Sequence, residues 1–439
     1  MMEQFECPFS LYGRKAPNRV ALTSAEKKWT YQECERLIVG TASLLKKQGV
    51  KKGDRVALLP TKEFPSPLIF FALFRLGAIA CPLNTYDPLT LLPEKLDRLG
   101  APLLLFPDGT ALPKMKQITL HFSKVIHKGK PSGQTFLEKK ALATYLFTSG
   151  TTGKAKIACH SLGNHYYSAL GSNRYLPIGA EDRYQLSLPL YHIAGIALLF
   201  RTFLAGGAVA FSEEGITHLS LVPTQLKRLL DKETLPNYKH ILLGGAPISP
   251  TLYQEARGRG LPIHPTYGMT EMSSQITSLF DESPLSMGHP LPYREIKIGT
   301  GGEIWVRGKA LFQGYLDEGL PLNSEGYFET GDLGTYCPKQ GLQISGRKDR
   351  LFISGGENIY PEEIERLLQS IEGITYAEVV PTPDEEFGFR PTAYIESDQG
   401  YEEEALKSYL EDFLPRFKIP IAFLASSDGF EKRRLSPKW

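Results

Sequence analysis

The sequence predicts an α/β protein whose sheets are largely parallel, ending in a smaller α+β unit. Three features of its 439 residues point that way. Apolar, β-rich runs alternate with helical patterns through most of the chain; short strands and turns take over from about residue 290; two amphipathic patterns follow Gly346. A chain this long exceeds one ordinary core, so roughly two to three domains or subdomains are expected.

In order, the strand candidates are "RVALLP" from Arg55, "LLLFP" from Leu103, "TYLFT" from Thr144, "YQLSLPL" from Tyr184, "HLSLV" from His218, "HILLGG" from His240 and "PIHPTYG" from Pro262. Residues 67–83 ("PLIFFALFRLGAIACPL") read as a buried helix running into a strand; Arg75 and Gly77 interrupt them, and they fall short of a membrane span. Ser249 places a capping hydroxyl ahead of a first-turn proline, Pro250, so a helix starts there and stops at the following glycines. "GGEIWVRG" and "GYFETGDLG" are short strands and turns. After Pro361, Ile364, Leu367, Leu368 and Ile371 share one helical face; later Leu406, Tyr409, Leu410, Phe413 and Leu414 do the same before Pro415. The expected division is a large unit, 1–345, and a small one, 346–439, the latter of ordinary domain size.

Fifty basic and 48 acidic residues leave a net charge of +2, which argues against a nucleic-acid footprint or a polybasic membrane anchor. Cys7, Cys34, Cys81, Cys159 and Cys337 are scattered with no C-x-x-C pair, as expected for reduced thiols in a cytoplasmic protein without structural zinc. No histidine pair has metal-ligand spacing, which argues against a metal-dependent hydrolase. Glu3 and Glu6 stand where a secretory signal would carry basic residues.

The first stretch with chemical content is Thr148 to Lys156, between "ATYLF" and "IACHS" as strands. Its glycines, Gly150 and Gly153, let backbone N–H groups converge on an anion. Thr148, Ser149, Thr151 and Thr152 add hydroxyl donors, and Lys156 adds a positive charge. The spacing is not that of the common nucleotide loop, since only two residues separate the glycines and Ala155 follows Lys154. On this segment alone, a polar turn and a phosphate cradle are both open.

Four further segments decide between them: "LPLYHIAG" (188–195), "YGMTE" (267–271), "GYFETGDLG" (326–334) and "GRKDRLFISGGENIYPEEIE" (346–365). In this order, with the glycine-rich loop ahead of them, they resemble the core motifs of the adenylate-forming acyl-CoA synthetase superfamily over nearly the whole chain. "LSLVPTQLKRLL" and residues 244–276 look like its o-succinylbenzoate:CoA ligase branch, which serves menaquinone synthesis. The resemblance implies a large N-terminal domain with a small β-barrel-like part and a mobile C-terminal domain. It also implies a reaction in which ATP and a carboxylic acid give acyl-AMP and pyrophosphate, after which coenzyme A takes the acyl group.

The resemblance also assigns roles. The Thr148–Lys156 loop would hold the β- and γ-phosphates, Thr270 the α-phosphate, and Glu271 Mg²⁺ unless it merely pairs at the surface. Gly244, Gly245 and Ala246 would floor the adenine site, with Tyr267 and Gly268 beside it. Asp332, with Arg347 as second anchor, would take the ribose hydroxyls, as suits a carboxylate meeting a vicinal diol. His192 would close over the acid, although a lone histidine is often only a satisfied polar residue. Arg201, in an otherwise apolar stretch, would meet a second carboxylate of the substrate, or else belong to an internal salt bridge. Asp349 matches the hinge. Gly355 and Gly356 match the pantetheine tunnel, or form a simple turn. The family's Gly-Lys motif near the C-terminus is missing; Lys432 is the expected bridge between acyl carboxylate and α-phosphate, ahead of Lys438. The alternatives are a CoA ligase for another aromatic or medium-chain acid, a non-catalytic nucleotide-binding homologue, and a domain that loads a carrier protein.

Overall fold

The computed structural model describes residues 3–131, 133–148, 155–281, 285–354, 357–384 and 386–426. Two large sheets dominate. The first has seven strands in the order Gly314–Tyr315, Ile157–Ser161, Leu142–Phe147, Ile79–Pro82, Arg55–Leu58, Leu103–Phe106, Ile118–His121, and the last five are parallel. The second has nine strands; Ile263–Met269, His240–Leu243, His218–Leu221, Arg183–Gln185, Ala208–Ala210 and Val20–Thr23 are its parallel centre. The α/β expectation is thus met.

Period-two alternation sets the layers, because successive strand side chains point to opposite faces. Val56, Leu58, Leu103 and Leu105 of the first sheet and Leu242 of the second enter one shared core. That core also takes the buried faces of helices Tyr31–Lys47, Ser66–Leu76, Leu162–Asn173 and Ile193–Ala205, which therefore lie between the sheets. Ala57, Leu104 and Phe106 face a second core under helix Leu92–Leu99. Ile241 and Leu243 face a third, under helices Pro223–Leu230 and Pro250–Gly258. Ser249 caps the last of these, accepting a hydrogen bond from the Leu252 amide. The stretch from residue 67 is helix Ser66–Leu76 running into strand Ile79–Pro82 as expected, with Arg75 buried against Glu35.

After residue 290, four antiparallel strands, Arg294–Ile298, Glu303–Gly308, Phe328–Cys337 and Gly341–Arg347, form a separate sheet. A further apolar cluster draws only on residues between Phe352 and Phe423, and joins helices Pro361–Leu368 and Glu403–Glu411 to a three-stranded sheet. Two details differ from expectation. In "YQLSLPL" the strand ends at Gln185, and the run toward Pro189 leaves the sheet. Phe413 is 58% exposed because its helix stops at Glu411, so the residue falls out of phase. All five cysteines are free thiols, and no helix among the described residues is long and apolar enough to cross a membrane.

Histidines are concentrated inside. His218, His240 and His264 occupy three neighbouring parallel strands with rings 5.2 and 5.1 Å apart, and His240 Nδ1 lies 2.9 Å from His264 Nε2. Burial pushes His218, His264 and His160 down to about 4, and His240 and His165 down as well. A histidine held below its unfolded value of roughly 6.5 favours folding fully above that pH, and the contribution is lost as pH falls toward the folded value. Unfolding at pH 5 should therefore take up nearly one proton at each of His218, His264 and His160, about three in all, with His240 and His165 adding in the same direction. The denaturation midpoint should drop steeply between pH 6.5 and 5, and a flat midpoint across that window would contradict neutral buried histidines.

Candidate active site

The strand Ile263–Met269 runs into a single 3-10 turn, Thr270–Met272, at the edge of the parallel part of the second sheet. Thr266 and Gly268 share one face of that strand and border a cavity of ≈ 330 Å³, while Tyr267, on the other face, enters the core under the four-stranded sheet. The cavity also meets Thr270, Gly244, Gly245, His192 and Arg201. Glycine is needed at Gly244 and Gly268 by close approach: a Cβ would stand 2.5 Å from the Thr266 carbonyl oxygen and 2.1 Å from that of Ser274. Ala246 is exposed and is not among the lining residues.

Arg201 sets the character of one end. It lies on helix Ile193–Ala205, apolar on every side and hence buried, and is itself 2% exposed. Its guanidinium donates to the Tyr184 hydroxyl at 3.3 Å and to Ser274 Oγ at 3.2 Å, and Nε has no partner. Burial pulls its pKa down, and Arg294 nearby is pulled down to about 9 by burial and by Arg201. Arg294 in turn is bonded to the Gln275, Pro292 and Ser168 carbonyls and the Ser168 hydroxyl. Among the described residues no carboxylate pairs with either arginine, so the internal salt bridge considered for Arg201 is not formed. Arg294 does not line the cavity, so the anion-seeking group there is Arg201, a buried guanidinium served only by neutral oxygens.

Glu271, Lys156 and Asp332 are not among the residues that line this cavity; Glu271, next to Thr270 on the turn, is 8% exposed, and its Oε1 accepts a 2.6 Å hydrogen bond from the Tyr315 hydroxyl. Lys156 holds its ammonium 4.7 Å over the Tyr315 ring and pairs with Glu318 at 2.7 Å. The expected hairpin is formed: Leu142–Phe147 and Ile157–Ser161 pair antiparallel, and the Thr148 amide donates to the Lys156 carbonyl. Ser149, Gly150, Thr151, Thr152 and Gly153 lie outside the described residues, as do Gly355, Gly356 and Lys432.

Asp332 sits on Phe328–Cys337 directly opposite Arg347 of Gly341–Arg347. Arg347 donates to Asp332 Oδ1 at 2.9 Å and to Asp349 Oδ1 at 3.0 Å, and Tyr267 donates to Asp332 Oδ2 at 2.6 Å. Through Tyr267 the Asp332–Arg347–Asp349 group is tied to the strand that carries Gly268 and leads into Thr270. His192, at the start of helix Ile193–Ala205, has its pKa lowered by burial and faces the cavity as a neutral ring beside Tyr191.

Sequence reasoning missed Tyr184, Ser274, Tyr315 and His160. Ser273 and Ser274 adopt φ of 52° and 99°, a left-handed pair immediately after the turn, which turns the Ser274 side chain toward Arg201. Nothing in "EMSSQ" signals this.

The AMP-binding enzyme family profile matches residues 9–316. The 2-succinylbenzoate–CoA ligase of Escherichia coli (strain K12) is 34% identical over 92% of this chain and 90% of its own length; that of Bacillus licheniformis is 33% identical over 93% of each. Among solved structures, o-succinylbenzoate CoA synthetase from Bacillus subtilis in complex with the acyl-adenylate intermediate OSB-AMP superposes with a TM-score of 0.88 at 30% identity, covering 97% of this chain and 95% of that one. The same enzyme in complex with ATP and a magnesium ion gives 0.87 at 30% identity, covering 96% of each chain. The profile extends over the two large sheets, the cavity and the turn, the relatives match about nine-tenths of the chain, and this chain belongs to the family of AMP-binding enzymes.

Proposed function

We propose that the protein is an AMP-forming acid:CoA ligase acting on o-succinylbenzoate. In the first step a carboxylate oxygen of the acid attacks the α-phosphorus of ATP and pyrophosphate leaves; in the second the CoA thiol sulfur attacks the acyl carbon, AMP leaves, and the thiol proton passes to solvent. The observation that carries the substrate assignment is Arg201, a buried cation without a carboxylate partner among the described residues, facing the same cavity as Thr270. A dicarboxylic acid places one anion at the guanidinium and the other at the reacting phosphate.

In this reading Thr270 binds the α-phosphate, and the Thr148–Lys156 loop binds the β- and γ-phosphates, with Lys156 leaving Glu318 to do so. Gly244, Gly245 and Ala246 floor the adenine. Each Asp332 oxygen accepts one hydrogen bond internally and keeps a lone pair for a ribose hydroxyl, with Arg347 fixing the carboxylate. His192 closes the acid pocket as a neutral ring. Lys432 bridges acyl and phosphate oxygens, and Gly355 and Gly356 admit the pantetheine arm after the unit 346–439 turns about Asp349. The self-contained apolar cluster from Phe352 onward supports that division.

Magnesium accompanies the nucleotide. Among the described residues no group of three or more His, Cys, Asp or Glu side chains could hold a metal. Nucleotide-bound Mg²⁺ takes one or two carboxylates along with phosphate oxygens and water, a role that Glu271 fits with Oε1 already oriented. When bound, the ion neutralises phosphate charge as pyrophosphate departs. The free thiols and the use of ATP and CoA suit the cytoplasm.

The test is a panel of carboxylic acids with ATP, Mg²⁺ and CoA, read by pyrophosphate release and by the mass of the thioester. o-Succinylbenzoate should give the largest kcat/KM. A monocarboxylic aromatic or medium-chain acid that outperforms it would replace the substrate, and nucleotide binding without any acid-dependent pyrophosphate release would replace the enzyme with a binding protein.

A further inference from the structure

Tyr315 and His160 are used by no step above, yet both grip the turn that carries Thr270 and Glu271. Tyr315 belongs to the two-residue strand Gly314–Tyr315, which adds antiparallel to Ile157–Ser161 with Tyr315 opposite Ala158. It therefore stands beside the strand that leaves the glycine-rich loop, two residues past Lys156. From there its hydroxyl reaches Glu271 Oε1 at 2.6 Å, while its ring lies under the Lys156 ammonium and packs edge-on against Phe312 with centroids 4.9 Å apart. A carboxylate oxygen can only accept, so the tyrosine hydroxyl is the donor.

His160, on Ile157–Ser161, holds the backbone of the same turn. Its Nε2 lies 2.7 Å from the Thr270 carbonyl oxygen. A carbonyl can only accept, so Nε2 carries the hydrogen. The ring is fully buried, 5.3 Å from that of His165, and burial keeps it neutral. A third bond, from the Phe312 amide to the Glu271 carbonyl at 2.7 Å, completes the grip. His160 on one side and residues 312–315 on the other thus fix the turn at two carbonyls and at one carboxylate oxygen, leaving Glu271 Oε2 as the oxygen that can meet a cation.

We infer that Tyr315 and His160 are positioning residues for the metal-dependent half of the reaction: Tyr315 orients the Glu271 carboxylate, and His160 sets the height of the turn beneath the phosphates. The inference rests on the metal role proposed for Glu271. Partners that orient a ligating carboxylate typically change metal affinity 10- to 100-fold when removed.

The full-length chain and its Tyr315→Phe, His160→Leu, His160→Gln and Glu271→Gln variants are titrated with Mn²⁺ in the presence of a non-hydrolysable ATP analogue, free Mn²⁺ being read by electron paramagnetic resonance. Tyr315→Phe should weaken Mn²⁺ about 10-fold or more, with a much smaller change in affinity for the metal-free nucleotide. His160→Leu should weaken it comparably, and His160→Gln, which restores an N–H donor, should recover most of the loss. Half-saturation by Mg²⁺ in ATP–pyrophosphate exchange should move in parallel. Mn²⁺ binding that is unchanged in Tyr315→Phe, or a loss equal to that of metal-free nucleotide, overturns the inference and leaves a packing role. Wild-type affinity in Glu271→Gln would instead remove the metal role of Glu271, a failure of the underlying reading that the tyrosine variant alone would not produce.

Discussion

Arg201→Ala should reduce kcat/KM for o-succinylbenzoate by roughly 10²- to 10³-fold, chiefly through KM. Truncating one partner of a buried charge pair costs about 2–5 kcal/mol, because the remaining charge is left desolvated and unpaired. In the proposed function the pair forms only with substrate, since the guanidinium meets the Tyr184 and Ser274 hydroxyls and, among the described residues, no carboxylate. Two consequences separate this from a folding defect. The variant should keep its melting temperature, since it loses a buried cation that no carboxylate compensated in the free protein. It should also lose its preference for the dicarboxylic acid over a monocarboxylic analogue. Steady-state kinetics on both acids decides; an unchanged KM for succinylbenzoate would end the substrate assignment.

Lys432→Ala should slow adenylation by about 10² or more while sparing thioester formation from supplied acyl-AMP. A cation placed between the attacking carboxylate and the α-phosphate stabilises charge that develops only in the first transition state, and one such preorganised donor is worth about 10²–10³ in rate. The expectation comes from the family resemblance: the tail "SSDGFEKRRLSPKW" lacks the family's Gly-Lys pair, and Lys432 is the lysine nearest after Asp428 and Gly429. Pyrophosphate exchange measures the first half-reaction, and CoA-dependent consumption of acyl-AMP the second. Equal loss in both would indicate misfolding, and a selective loss in Lys438→Ala instead would move the role to that residue.

Much of the fold was legible because burial on both faces of a parallel sheet writes itself as continuous apolar runs. "RVALLP", "LLLFP" and "HILLGG" each became a strand whose alternate residues feed two cores. The cap at Ser249 was legible because it is local. Phe413 was misplaced because periodicity does not say where a helix stops. At the candidate site the same divide holds. Thr270, Gly244 and Gly268 stand in contiguous motifs and do meet at one cavity. Tyr184, Ser274 and Tyr315 matter through partners 17, 73 and 44 positions away, and no short pattern encodes such distances. Arg201 was visible only as an anomaly, a charge in an apolar helix, and its lack of a carboxylate partner needed the three-dimensional arrangement.

The left-handed pair Ser273–Ser274 has a consequence for any attempt to retarget the enzyme. Five residues, 270 through 274, carry the cavity-lining Thr270, the acidic side chain of Glu271 and the hydroxyl that touches Arg201. A designer who reshapes this wall to admit a longer or less charged acid works beside two non-glycine residues already in the left-handed region, so a change there should carry over to Thr270 and Glu271. Leu188 and Leu242 border the same cavity from outside those five residues, and the cavity should be easier to reshape there.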